Sequence, residues 1–309
     1  MIADSGLPHC PLCESVCPVR FVTRDVNRRV SDRQFSYHRC ESCALMFLND
    51  PPDDLARYYP PDYVSLPRSI AQLKRIAGRA QYQIEMVRCF VTCGRLLEIG
   101  PGYGSFAWLA KTAGFDVDVI EMDTKACEYL ERQLGVTVIQ SASPEQVLKA
   151  ESIGYDAIVM WHSIEHLPDA WETLRYAARV LNPGGIILVA TPNPAAWQFG
   201  VMGGHWPHVD APRHLWLIPL TALEGYLTTL DMTLAFATSS DPGARNWNRF
   251  GWSQLVLNQQ PDAIRKTVVA RVASRGVGAA IAAAARRWEN RNLKGSAYSA
   301  VFQKRTASR

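Results

Sequence analysis

Three groups of residues have types and spacings that could do chemistry. Two C-x-x-C pairs, Cys10/Cys13 and Cys40/Cys43, lie 26 residues apart. Four thiolates so arranged can surround one zinc tetrahedrally, as in a zinc ribbon. Cys17, His9 and His38 lie close by in the chain and offer substitute ligands. Five of the 7 histidines fall at positions 162, 166, 205, 208 and 214, and imidazole is suited to proton transfer near neutral pH. Finally, Glu98 precedes glycines at 100, 102 and 104, and Glu121 follows 17 residues after the last of them. Glycines let backbone N–H groups approach a ligand, and an acid at that distance is placed to take two ribose hydroxyls.

Those positions require particular elements. The apolar run 96–99 reads as a strand, and the glycine turn leads into an amphipathic segment carrying Phe106, Leu109, Ala110 and Ala113. A second apolar run, 117–120, ends at Glu121. This is the opening βαβ unit of a nucleotide-binding fold. Gly102-x-Gly104-x-x-Ala107 satisfies the relaxed dinucleotide fingerprint, so the glycines alone leave NAD open. Glu98 points elsewhere. A carboxylate at the strand tip repels a pyrophosphate but suits an ammonium group, and S-adenosylmethionine offers an ammonium, a carboxylate and a ribose.

Downstream, 155–161 reads as a buried strand, followed by His162-Ser163-Ile164-Glu165-His166-Leu167-Pro168-Asp169. A helix fits 170–180, Leu181-Asn182-Pro183-Gly184-Gly185 forms a turn, and 186–190 forms the next strand. With E-x-G-x-G-x-G, E-H-L-x-D and L-x-P-G-G in this order, the sequence resembles the class I S-adenosylmethionine-dependent methyltransferases across roughly 93–240. The resemblance implies an α/β fold, a Rossmann-like doubly wound seven-stranded sheet. It also implies a donor site in which Tyr103, Met122, Ala142, Trp161 and His162 join Glu98, Gly100, Gly102, Gly104 and Glu121. The literal H-x-x-E-H at 162–166 belongs to inverted zinc peptidases only when it lies inside a long helix. Here it leaves a strand and meets Pro168 within two residues.

The cysteine segment is too small to fold on apolar burial, so its zinc is expected to be structural, one per chain. We expect a zinc-ribbon domain at 1–50, a Pro/Tyr-rich connector with a helical segment at 51–92, and a methyltransferase domain at 93–309. A helical insertion is expected at about 241–295, between strands at 232–238 and 298–304. The whole resembles a bacterial group that methylates sugars, polysaccharides and secondary metabolites. In that group P-x-H-L lines the acceptor pocket, and Pro212-Arg213-His214-Leu215 matches it. His208 and His214 are the first candidates for the base, His162 and His166 the next, and Arg213 is a candidate for meeting an anionic group on the acceptor. A hydroxyl needs only one modest base, which places O-methylation ahead of C-methylation.

The chain has 309 residues, 48% hydrophobic and 20% charged, ordinary values for a globular protein of one large and one small domain. No apolar run approaches the ~20 residues that span a bilayer, and no signal peptide opens the chain, which predicts a cytoplasmic protein. Charge is uneven. Residues 262–309 carry 11 Lys/Arg against 2 Asp/Glu, while the whole chain is only +4. Such a segment reads first as a solvated helix face and second as an attractor of phosphates, an anionic membrane surface or nucleic acid. Arginines 24, 28, 29, 33 and 39 keep open an RNA methyltransferase whose zinc module grips nucleic acid. A non-catalytic scaffold that binds S-adenosylmethionine is the third reading.

Overall fold

The computed structural model describes residues 7–59 and 65–306. Pro60, Pro61, Asp62 and Tyr63 of the expected connector lie outside the described residues. In chain order the strands are β1 (Val19–Thr23), β2 (Phe35–Arg39), β3 (Met46–Leu48), β4 (Arg95–Ile99), β5 (Asp116–Glu121), β6 (Thr137–Gln140), β7 (Tyr155–Trp161), β8 (Leu181–Pro192), β9 (Trp216–Leu217), β10 (Met232–Thr238) and β11 (Ala297–Lys304).

By packing, the chain falls into two compact units. One compact unit, the ribbon unit, comprises Met1–Pro60, Thr191–Leu223 and Thr238–Tyr298. The other, the sheet unit, comprises Pro61–Ala190, Glu224–Ala237 and Ser299–Arg309.

The sheet unit is built on seven strands in the order β10-β11-β8-β7-β4-β5-β6. Strands β4, β5, β6, β7 and β8 pair in parallel. Parallel strands are covered on both faces, which is why Leu96, Leu97, Glu98 and Ile99 are all buried in one run. Leu96, Phe106, Leu109, Val119, Leu130, Val159 and Leu188 share its core. One boundary differs from the sequence reading. The strand expected at 186–190 starts at Leu181, which pairs with Tyr155 before a register shift, and Gly184 takes φ +80° in the irregular stretch. The last strand, β11, lies one place in from the edge, and β10 is the edge strand.

The ribbon unit holds a four-stranded sheet, β1-β2-β3-β9, in which Met46 pairs with Leu217 and Phe47 with Trp216, antiparallel. A distant piece of chain therefore completes the ribbon sheet. The small sheet lacks a core of its own: Phe35, Tyr37 and Met46 pack in one cluster with Trp206, Leu217, Trp252 and Ala282. The helices Pro242–Asn258 and Val268–Glu289 belong to this unit. The second is long and apolar enough, by length and composition, to cross a membrane, although the sequence alone suggested no such run. Its apolar stretch is longer than it looks because Arg271 and Arg275 interrupt it only in sequence, while the helix continues through them.

Candidate functional site

The four cysteines expected to hold metal come together. The Sγ atoms of Cys10, Cys13, Cys40 and Cys43 all lie within 4.8 Å of one another, with Cys10–Cys43 at 3.5 Å and Cys13–Cys40 at 3.4 Å. Thiolates bound tetrahedrally at ~2.3 Å from zinc sit a little under 4 Å apart, whereas a disulfide requires about 2 Å. The Leu12 N–H points at Cys10 Sγ and the Cys43 N–H at Cys40 Sγ, so backbone donors already favour the thiolates. The donor set fits one zinc. The substitute ligands are engaged elsewhere: His9 Nδ1 meets the Glu14 carbonyl at 2.7 Å and His38 Nδ1 the Cys17 carbonyl at 2.8 Å. Burial, together with the neighbouring cysteines, pushes the Cys17 thiol up to about 12, which keeps it protonated.

In the sheet unit the chain tips of β4, β5 and β7 carry the expected donor site. After β4 the backbone turns through Gly100 (φ +74°), Gly102 (φ +56°) and Gly104 (φ +75°) into the helix Ser105–Thr112. The first glycine is obligatory for space as well as dihedral, because a Cβ there would meet Ser163 Cβ at 2.6 Å. Ser163 was not singled out from the sequence, yet its Oγ donates to the Ile99 carbonyl at 2.6 Å. It thereby ties the loop after β7 to the glycine turn.

Glu121, at the end of β5, is buried and accepts backbone N–H groups from Gly102 (3.1 Å), Met122 (2.8 Å) and Asp123 (2.9 Å). The first of these bonds the acid directly to the glycine turn. Burial raises its carboxyl above the ordinary range, and those three N–H groups oppose the rise. Met122 beside it is 64% exposed, an uncovered apolar side chain at the strand tip, and Ala142 is also exposed. Tyr103 is half-buried against the core.

Glu98 is 2% exposed, and its Oε2 has no hydrogen-bond partner. Burial pushes its carboxyl up to about 8; Glu121 adds to the rise and an N–H from Ala107 opposes it. Burial thus favours the protonated carboxyl near neutral pH. Nearby in the sheet, the Trp161 indole packs against Tyr82 and Phe106, with ring centroids 6.2 and 5.7 Å away. Its Nε1 is likewise buried without a partner. An unmet acceptor and an unmet donor, each costing about 1–3 kcal/mol if left so, fit an amino-acid zwitterion. The residues thus suit the methionine end of S-adenosylmethionine. His162, the next residue, holds φ +55°, its N–H bonded to the Ala190 carbonyl and its Nδ1 3.6 Å from Glu165. Ile164–His166 is one 3-10 turn, so the H-x-x-E-H residues are not on a long helix.

The acceptor-loop residues lie in the ribbon unit. His214 is 9% exposed, and its Nδ1 lies 2.8 Å from the His208 carbonyl. A carbonyl only accepts, so Nδ1 carries a hydrogen. His208 is 3% exposed, with Nε2 3.0 Å from the Trp247 carbonyl and its ring enclosed by Trp206, Trp247 and Phe250. The expectation for Arg213 is corrected. It is 0% exposed and its guanidinium is consumed by Asp25 at 2.7 Å and Asp210 at 2.8 Å. Although burial opposes it, Arg213 holds the Asp210 carboxyl well below the usual range. Freeing Arg213 for a substrate would strand two buried carboxylates at a cost of about 3–5 kcal/mol. Its work is to clamp the ribbon residue Asp25 to the 210–214 turn. No local pattern signals that clamp, because Asp25 and Arg213 are 188 residues apart.

Residues 66–234 match a family model described as a methyltransferase domain. A ubiquinone biosynthesis O-methyltransferase from Bordetella avium is 30% identical over 125 residues, covering 38% of this chain and 52% of that protein. The Caulobacter sp. protein of the same name is 33% identical over 103 residues, covering 32% and 41%. The chain thus spans about half the length of these relatives. Among solved structures, a chain from Galdieria sulphuraria, provisionally named a sarcosine dimethylglycine methyltransferase, has a TM-score of 0.50 at 15% identity. The match covers 75% of this chain and 86% of that one, and it speaks to the fold alone.

Proposed function

We propose that this chain, which belongs to the methyltransferase-domain family, uses S-adenosylmethionine to methylate a hydroxyl oxygen of a small biosynthetic acceptor, a phenol or a sugar. The observation that carries the donor assignment is the buried, partnerless pair Glu98 Oε2 and Trp161 Nε1 beside the glycine turn. Glu98 takes the ammonium group and the Trp161 N–H the carboxylate. Glu121, already fixed by three backbone N–H groups, offers its remaining lone pair to the ribose. Met122 and Ala142 face the adenine, and Tyr103 and His162 complete the surround. The choice of oxygen as acceptor rests on the O-methyltransferase relatives.

Bound S-adenosylmethionine supplies an electrophilic methyl group on a sulfonium. The protein's contribution is to hold the ligand's two charged ends so that reaction becomes a matter of alignment. The acceptor hydroxyl must lose its proton as the C–O bond forms, and His214 is the proposed base. His208, boxed by aromatic rings, holds His214 through its carbonyl and acts as a positioning residue. His162 and His166 are the alternatives on the donor side.

The acceptor class is tested with methyl-labelled S-adenosylmethionine and a panel of phenols, sugars and RNA. Label in a methyl ether of a small molecule is the expected result. Label confined to RNA would replace this reading with the nucleic-acid one.

A further inference from the structure

The helix Val268–Glu289 buries one stripe, Ala270, Ser274, Gly278, Ala282, Ala285 and Glu289. That stripe packs on the helix Pro242–Asn258 so closely that a Cβ on Gly278 would come within 2.4 Å of the Ser253 nitrogen. The opposite face should then be polar if water covers it. It is not. Val269 and Val272 on it are 78% and 60% exposed, and Val268 and Val277 on its two margins are 73% and 49% exposed. Ala273, Gly276, Ala280 and Ala283 fill the outward positions among them, also exposed.

Charge frames this apolar face. Arg271 and Arg275 stand exposed along one flank, and Arg286 and Arg287 at the C-terminal end. The helix has one acid, Glu289, which is buried and accepts from Trp252 and Gln198. Beside the arginine flank, between the two helices, runs a groove of about 380 Å³ lined by Arg249, Phe250, Ser253, Arg271, Ser274 and Arg275. Ser253 Oγ already donates to the Arg249 carbonyl and Arg271 to the Lys266 carbonyl, and Leu257 and Ala279 also line the groove; three guanidiniums with no carboxylate nevertheless favour a phosphate at its rim.

We propose that this face docks on the surface of an anionic lipid bilayer, with the valines dipping among the acyl chains and the arginines taking headgroup phosphates. A helix that lies in the interface needs these two features side by side, an apolar face and a cationic flank. Spanning is excluded by the buried stripe, which already belongs to the neighbouring helix. A second copy is disfavoured by charge, since pairing the outward faces in either direction brings arginines against arginines. The inference does not depend on the identity of the methyl acceptor.

The full chain is sedimented with vesicles of phosphatidylcholine alone and of phosphatidylcholine mixed with phosphatidylglycerol. It should pellet with the anionic vesicles only. Arg249→Gln/Arg271→Gln/Arg275→Gln should weaken partitioning roughly a hundred-fold, and Val269→Asp/Val272→Asp should abolish it. All five positions are exposed, and circular dichroism verifies that each variant stays folded. Failure to pellet with anionic vesicles overturns the proposal. So does undiminished binding by the valine variant, which would mean charge attraction alone, or displacement by inorganic phosphate, which would make the groove a soluble-phosphate site. A concentration-dependent dimer split by Val269→Asp would overturn it in favour of self-association.

Discussion

His214→Ala lowers methyl-transfer turnover by roughly 10²–10⁴-fold while S-adenosylhomocysteine binds as before. The expectation rests on one hydrogen bond. His214 Nδ1 donates to the His208 carbonyl, which fixes the orientation of the ring. The acidic limb of the rate profile should disappear with the imidazole, because only the neutral ring accepts a proton. His208→Ala should act differently. It removes a ring from an aromatic box and keeps the carbonyl, so its loss should be smaller and accompanied by lower thermal stability. A His214→Ala enzyme with near-full turnover moves the base to His162 or His166. If those also tolerate alanine, alignment alone drives transfer, as suits an acceptor that is already ionised.

Removing zinc should unfold the ribbon sheet. Structural zinc in peptide-sized domains contributes apparent binding energies of about 10–16 kcal/mol, far more than β1, β2 and β3 can gain from their own packing. Protein purified without added metal should carry about one equivalent by elemental analysis. A strong chelator, or Cys40→Ser at the buried ligand position, should erase the β signal of the sheet. The damage should extend beyond residues 7–48, because Phe35, Tyr37 and Met46 share their core with Trp206 and Trp252. Metal-free protein with bridged cysteines would contradict the assignment.

Much of this molecule was legible from short-range pattern. The β4–turn–helix–β5 unit announces itself because a doubly covered strand must be continuously apolar, and because Gly100 and Gly104 sit where a side chain would collide. The cysteine cluster announces itself because knuckle spacing encodes local geometry. What the sequence could not disclose depends on distant pairing. Strand β9 is two residues long and exists only because β3 offers an edge to it. Arg213 looked available because Asp25, 188 residues away, becomes its partner only when the chain folds. Ser163 escaped notice because a lone serine after a strand has many uses, and only its distance to the Ile99 carbonyl selects one. The exposed valine face was hidden by its arginines, which break the apolar run in sequence and line up on one flank in the helix.

The central claim is that Glu98, Glu121 and the glycine turn form a site for S-adenosylmethionine, and calorimetric titration with S-adenosylhomocysteine tests it most directly. One ligand should bind per chain. Glu121→Ala removes a charge-assisted hydrogen bond worth roughly 1.5–3 kcal/mol, so affinity should fall about ten-fold or more. The sign of the pH effect follows from Glu98. Its folded carboxyl keeps its proton up to about 8, above the ordinary 4.5, so stability falls as pH rises between those values, where the unfolded chain has released this proton and the folded chain has not. An ammonium group beside it favours the ionised form. Binding at pH near 7 should therefore release a proton. The measured enthalpy should then vary with the ionisation enthalpy of the buffer, and Glu98→Gln should remove that variation. Donor affinity unchanged in Glu121→Ala, or tighter binding of NAD than of S-adenosylhomocysteine, would contradict the account.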